Sequence, residues 1–227
     1  MWVFSLLATA ISVLFFLSLL RAWRLRRSPQ LLAWTMALFM FSLASAAVLA
    51  GTSTRWTTGW FRVYYLFGAI ANVPVLALGT LYLLTPRRFA HLCAISVGIA
   101  TIAAAVVLVR SELAIAPLGT QGIPAAAEVV PDAVRLLSRV FSFAGFFVVV
   151  GGAVWSGARL GREKDPHLRE LVVANSLIAT GTSVVAVGSV FARYGRGSVF
   201  AAGLAVGVAL MFVGFLRTRF PATRPLS

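Results

Sequence analysis

The chain has little with which to do covalent, redox or acid–base chemistry. Its 227 residues include one cysteine, Cys93, and two histidines, His91 and His167. A single cysteine forbids an internal disulfide and a thiolate metal site. Neither histidine has the His-x-x-x-His or His-Glu companion that a zinc site needs, so both are expected as interfacial polar residues. Acids number six, Glu112, Glu128, Asp132, Glu163, Asp165 and Glu170, and all fall in loops or at helix ends. Proton-coupled pumps and transporters carry Asp, Glu or His inside their spans. Proton coupling is therefore not expected, and neither is an enzyme, a cofactor or a bound metal. Lysine is nearly absent as well, Lys164 standing against nineteen arginines.

What the chain has in quantity is apolar surface. It is 60% hydrophobic and 11% charged, with a mean hydropathy of +0.93. Soluble domains average about 45–50% apolar and about 25% charged. Seven apolar runs can be marked, at residues 2–20, 30–50, 63–85, 89–109, 134–158, 171–192 and 197–216. Each approaches the ~20 residues that carry a helix through a bilayer core. The expected fold is an all-α integral membrane protein, one seven-helix transmembrane domain over residues 1–227. The first run lacks a basic region before it and a small-residue cleavage site after it, so it reads as a retained span.

A net charge of +14 in a soluble protein would point to nucleic acid. Here the cations sit in short caps between apolar runs, where topology and lipid phosphates account for them. Membrane lipids are the expected partners, and nucleic acid is not. The connections after runs one, three and five, plus the tail, hold 13 basic residues: Arg21, Arg24, Arg26, Arg27, Arg87, Arg88, Arg159, Arg162, Lys164, Arg169, Arg217, Arg219 and Arg224. The other side holds 7, Arg55, Arg62, Arg110, Arg135, Arg139, Arg193 and Arg196. Positive charge marks the cytoplasmic side, so the N-terminus is expected outside and the C-terminus in the cytoplasm. The connection from Arg110 to Ala133 would then be outside, and Pro117, Gly119, Gly122 and Pro124 argue that it is a loop. Arginine over lysine, with much Ala, Val and Gly, points to a GC-rich bacterial genome and hence to a bacterial plasma membrane.

The third run is the most informative. Val63 to Thr85 is 23 uncharged residues held between Arg62 and the pair Arg87-Arg88, with Asn72 and Pro74 near its middle. Pro74 cannot donate to the Ile70 carbonyl, so the Asn72 side chain or a neighbouring helix is expected to compensate. Asn72 lies roughly 15 Å in from Arg62 at helical rise and is expected to hydrogen-bond inside the bundle. Gly68, Asn72 and Gly79 share a helix face, and run six presents Asn175, Ala179, Thr182, Ala186 and Ser189 at helical spacing. Small and hydroxyl faces of that kind serve helix packing; a kinked helix with a midplane asparagine also serves transporters as a substrate site.

Runs one to three can be laid on runs five to seven. Ser28-Pro29-Gln30-Leu31 matches Asp165-Pro166-His167-Leu168 at an offset of 137, and Gly68 and Gly79 match Gly203 and Gly214 at an offset of 135. A 3+1+3 architecture of parallel repeats would follow.

Two superficial likenesses fail on residues. Microbial rhodopsins need a lysine in the last span for retinal, and run seven has none. PQ-loop transporters carry their Pro-Gln inside a membrane helix, whereas Pro29-Gln30 opens one beside arginines. The block Arg62-x-Tyr64-Tyr65-Leu66-Phe67-Gly68-Ala69-x-x-Asn72-Val73-Pro74-x-Leu76-Ala77-Leu78-Gly79, with the basic Ser-Pro loop before run two, resembles a group of small seven-span membrane proteins of high-GC Gram-positive bacteria. The resemblance covers mainly runs one to three. It implies a source and a topology, and no activity.

The candidate ligand site gathers at the outer end. Arg62, Arg135, Arg139 and Arg193 lie within a turn or two of the outer ends of runs three, five and six. Arg135 and Arg139 share a helix face. Converging, they would form a vestibule for a phosphate or carboxylate, which the guanidinium fork suits. Tyr64, Tyr65 and Tyr194 would rim it, with Asn72 deeper in the same span. Pairing with Glu112, Glu128 or Asp132, or snorkelling to lipid phosphates, would occupy the same arginines. The function expected is non-enzymatic binding or facilitated passage of a small or lipidic, anionic ligand. The alternative is a structural or assembly partner of another membrane complex.

Overall fold

Inside hydrocarbon a peptide group has no water to bond, so each apolar run must close its N–H and C=O groups within a helix. The structure is a computed structural model and describes residues 2–113, 123–124, 126–160, 166–193 and 197–219. Its elements are α1 (Trp2–Arg26), α2 (Pro29–Ser53), α3 (Thr58–Val63), a π-helical segment (Tyr64–Ala71), α4 (Asn72–Leu84), α5 (Arg87–Arg110), the short α6 (Ala126–Val129), α7 (Asp132–Leu160), α8 (Pro166–Arg193) and α9 (Gly197–Arg219). Among the described residues, counting α3, the π-segment and α4 as one, seven helices are long and apolar enough to cross a membrane.

Local chemistry sets where they start. The third span begins at Thr58, earlier than the apolar run, because Thr57 is extended and its hydroxyl accepts from the Trp60 N–H at 3.2 Å, an N-cap. Pro29 is the first residue of α2, as expected, but the extended Ser28 before it makes no side-chain cap bond. The turn between them rests on Arg27, at φ 48°, a left-handed conformation that favours glycine. Its guanidinium carbon lies 5.0 Å from the Trp23 ring centroid, a cation–π contact that offsets part of the strain. In the long connection after α5, a helical turn at Ala126–Val129 interrupts what the sequence reads as loop; Pro117, Gly119 and Gly122 lie outside the described residues.

Neighbour contacts order the spans. α1 packs on α2, α2 on the third span, the third span on α7, α7 on α8, α8 on α9, and α9 back on α1. Six spans thus close a circuit, and α5 stands outside it, touching the third span and, at few places, α7. Only 11% of its most apolar window is buried, against 61% for α2. Two apolar clusters hold the circuit. One joins Phe15, Leu38, Phe41, Leu204, Val208 and Met211, with Phe15 stacked 5.1 Å from Phe212. The other, at the end where Arg62 lies, joins Trp56, Phe61, Tyr65, Ile70, Leu108 and Val134. The tightest pairing is α8 on α9, where a Cβ at Gly181 would meet the Gly207 carbonyl and one at Gly207 the Gly181 carbonyl. Backbones approach this closely in membranes only across small residues.

Candidate functional site

The asparagine–proline anomaly of the third span resolves into a change of helix type. From Tyr64 to Ala71 the backbone is π-helical, and the Asn72 N–H reaches back five residues to the Phe67 carbonyl. A return to the four-residue step skips one carbonyl, and Pro74, lacking an N–H, deprives another. The relief comes from α7. Ser138 Oγ donates to the Ala69 carbonyl at 2.7 Å, and Ser142 Oγ approaches the same oxygen at 3.5 Å. One turn on, Gly145 packs so close that a Cβ there would meet the Val73 backbone. The neighbouring helix therefore supplies a donor at the break, one of the two expected devices, but to the Ala69 carbonyl and not to that of Ile70. Asn72 does not: it is buried at 9% exposure, but its amide makes no side-chain hydrogen bond among the described residues.

Among the described residues, Arg62, Arg135 and Arg139 do not converge on one opening. Arg62 points at the end of α5, where Nε donates to the Leu108 carbonyl at 2.9 Å and Nη2 to the Val109 and Ser111 carbonyls at 3.0 Å each. It caps carbonyls that the α5 helix leaves orphaned, with its charge against the negative end of the dipole. Arg135 donates to the Ala127 carbonyl at 3.1 Å and pairs with Asp132 on its own helix, the pairing that the sequence named as a competitor. Arg139 is exposed on the same face of α7. The side chain of Arg193, at the last position of α8, lies outside what is described, as does Tyr194. Tyr65 is 5% exposed and stacks on Phe61 with centroids 5.7 Å apart. The rim assignment fails there because Tyr65 turns into the aromatic cluster that closes the Arg62 end. Tyr64 joins it, 5.8 Å from Trp56 and 6.4 Å from Phe200.

The polar face of α8 is mostly spent on helix packing and on its own backbone. Asn175 Nδ2 donates to Ser156 Oγ at 3.0 Å across to α7. Thr182 bonds the Ile178 carbonyl and Ser183 the Ala179 carbonyl, each one turn back. On α2, Thr35, Ser42 and Thr52 do the same toward Leu31, Leu38 and Val48. Hydroxyls satisfied this way offer little to a solute. A contact missed from sequence is Tyr82 Oη against His91 Nδ1 at 2.9 Å. It joins the third span to α5 at the end opposite Arg62, and its signal was position: both residues lie within a turn or so of the Pro86 corner.

Two concavities then stand out. A groove of 450 Å³ runs along α8 and α9, lined by Thr180, Ser183, Val187, Gly188, Phe191, Val199, Gly203 and Val206 among others. A smaller one of 350 Å³ lies over Asp132, Arg135, Leu136 and Arg139 of a single helix. No protein-family model, curated protein or solved structure matches this chain. Its function has to be read from this geometry.

Proposed function

We propose that this protein is a non-catalytic component of a bacterial plasma membrane that binds a lipidic ligand laterally, in the plane of the bilayer. One contrast carries the reading. The space between α1, α2, α9 and the third span is filled by Phe15, Leu38, Phe41, Leu204 and Val208, whereas the α8–α9 groove is open and apolar. An apolar trough in which Ser183 already bonds the Ala179 carbonyl suits an acyl chain better than a hydrated solute. The test compares retained lipid and solute flux. Purified protein in detergent should retain a lipid in native mass spectrometry, and Val187→Phe with Val206→Phe, which fills the groove, should lose most of it. Liposomes carrying the protein should leak small anions no faster than empty ones. Unchanged lipid retention in the filled variant, or flux above the empty control, overturns the proposal.

The orientation proposed is N-terminus outside, C-terminus cytoplasmic, from the 13-to-7 split of basic residues. A reporter active only in the cytoplasm should give signal when fused after Ser227 and none when inserted near Gly119; the reverse pattern inverts the topology. A 3+1+3 repeat is proposed as well. Gly68 and Gly79 lie against Ala44 and Trp34 of α2, and Gly203 and Gly214 lie against Gly188 and Ala174 of α8. The two seams between triplets, third span with α7 and α9 with α1, are equivalent under the same exchange, and α5 is the linker.

A second reading, assembly with another membrane protein, draws on α5. Its outer face shows Leu92, Ile95, Ile99, Ile102, Val106 and Val109 exposed at alternating steps of three and four, the spacing by which one helix presents a ridge to another. Such a partner would co-purify and be lost on replacing Ile95 and Ile102 by smaller residues, with the α8–α9 lipid unaffected.

A further inference from the structure

Three features converge on one point of the third span. The π-segment ends at Ala71, Pro74 follows within the first turn of α4, and Ser138 of α7 bonds the Ala69 carbonyl inside the π-segment. A π-turn is rare and is used mostly as a single local feature, frequently at a functional site. Pro74 removes the next intrahelical bond as well. Across this stretch the third span loses a tie along its own axis, and Ser138 adds one from another helix. What lies on the far side of the weak point is also specific. The α3 and π-segment carry Arg62, and Arg62 holds the last carbonyls of α5, the span that stands outside the circuit.

We propose that the π-segment and Pro74 form a hinge in the third span, and that Ser138, seconded by Ser142, is the latch that keeps it closed. With the latch released, the π-turn relaxes toward α-helix, and each residue of register rotates α3 by about 100° against α4. Arg62 turns with it and lets go of the end of α5. Ser138 is a positioning residue in this device: it touches no ligand and acts on α5 through the backbone at Ala69 and the guanidinium at Arg62. The Tyr82–His91 contact at the other end keeps α5 attached as it swings. The inference rests on backbone and hydroxyl geometry and is independent of the α8–α9 groove.

Hydrogen–deuterium exchange on the full chain in lipid nanodiscs tests it. Removing both hydroxyls, Ser138→Ala with Ser142→Ala, should speed exchange about five- to tenfold, the factor expected for one lost hydrogen bond. The increase should appear in peptides covering residues 64–76 and also in those covering 104–111, with α8 and α9 unchanged. Ser138→Thr keeps a hydroxyl and should stay at the wild-type rate. An increase confined to 64–76 makes the serines a static brace and overturns the hinge, as does no increase or an equal one in every helix. Pro74→Ala restores an N–H to the weak point and decides the matter separately if the double variant does not fold. It should slow exchange at both places, and unchanged or faster exchange overturns the proposal.

Discussion

Arg62→Ala is expected to lower the stability of the folded bundle by about 2–3 kcal/mol, the order of the hydrogen bonds a charged donor makes, and to free the end of α5. Hydrogen bonds from a charged donor contribute roughly 1.5–3 kcal/mol each and are not additive. Arg62 makes three, to carbonyls at 108, 109 and 111. Those carbonyls close a helix that has few other attachments, so no neighbouring donor stands ready to replace the guanidinium. Lysine at 62 would carry the charge without the fork that spans three oxygens, and should recover about half of the loss. Unfolding in mixed micelles gives the stability, and protease susceptibility after Ser111 gives the release of α5. The contrast is Arg135→Ala. Its partner Asp132 has a side chain 89% exposed, and exposed pairs contribute at most about 1 kcal/mol, so a small change is expected there. Equal losses at 62 and 135 would refute the assignment of Arg62 as the α5 cap.

Gly181→Val should separate α8 from α9 at a cost of about 3 kcal/mol or more, the upper range for overpacking. A Cβ at 181 already meets the Gly207 carbonyl, Met211 Cγ and the Met211 nitrogen. Two of those three atoms are backbone, which cannot rotate aside, so the helices must part. Parting them also breaks the packing of Met211 in the larger core cluster. Gly151 is the control, because a Cβ there meets nothing within 4 Å. Gly151→Ala should be neutral or stabilise by up to about 1 kcal/mol, the helical penalty of glycine relative to alanine. The groove on α8 and α9 should lose its lipid in Gly181→Val and keep it in Gly151→Ala.

The amino-acid sequence by itself determined the class, the number of spans and several of their starts. Hydrocarbon admits helices closed on their own hydrogen bonds, so seven apolar runs of sufficient length dictate seven helices. Pro29 and Asp132 mark helix starts through backbone chemistry that needs no neighbour. The same local logic located the trouble in the third span, since a proline inside a helix must orphan a carbonyl wherever it occurs. Which group would supply a donor at that break was not local. Ser138 is 69 residues from Ala69, and Arg62 is 46 to 49 residues from the carbonyls it caps. Tyr65 could rim an opening or enter a core with the same side chain, and the packing of Trp56 and Phe61 chose the core. Hydropathy could not single out α5 as the span outside the circuit either. Lipid tails are as apolar as leucine, so a helix facing lipid and one facing another helix carry the same apolar signal. Only the fit of small residues and the reach of a few polar side chains across the bundle decide which helices meet.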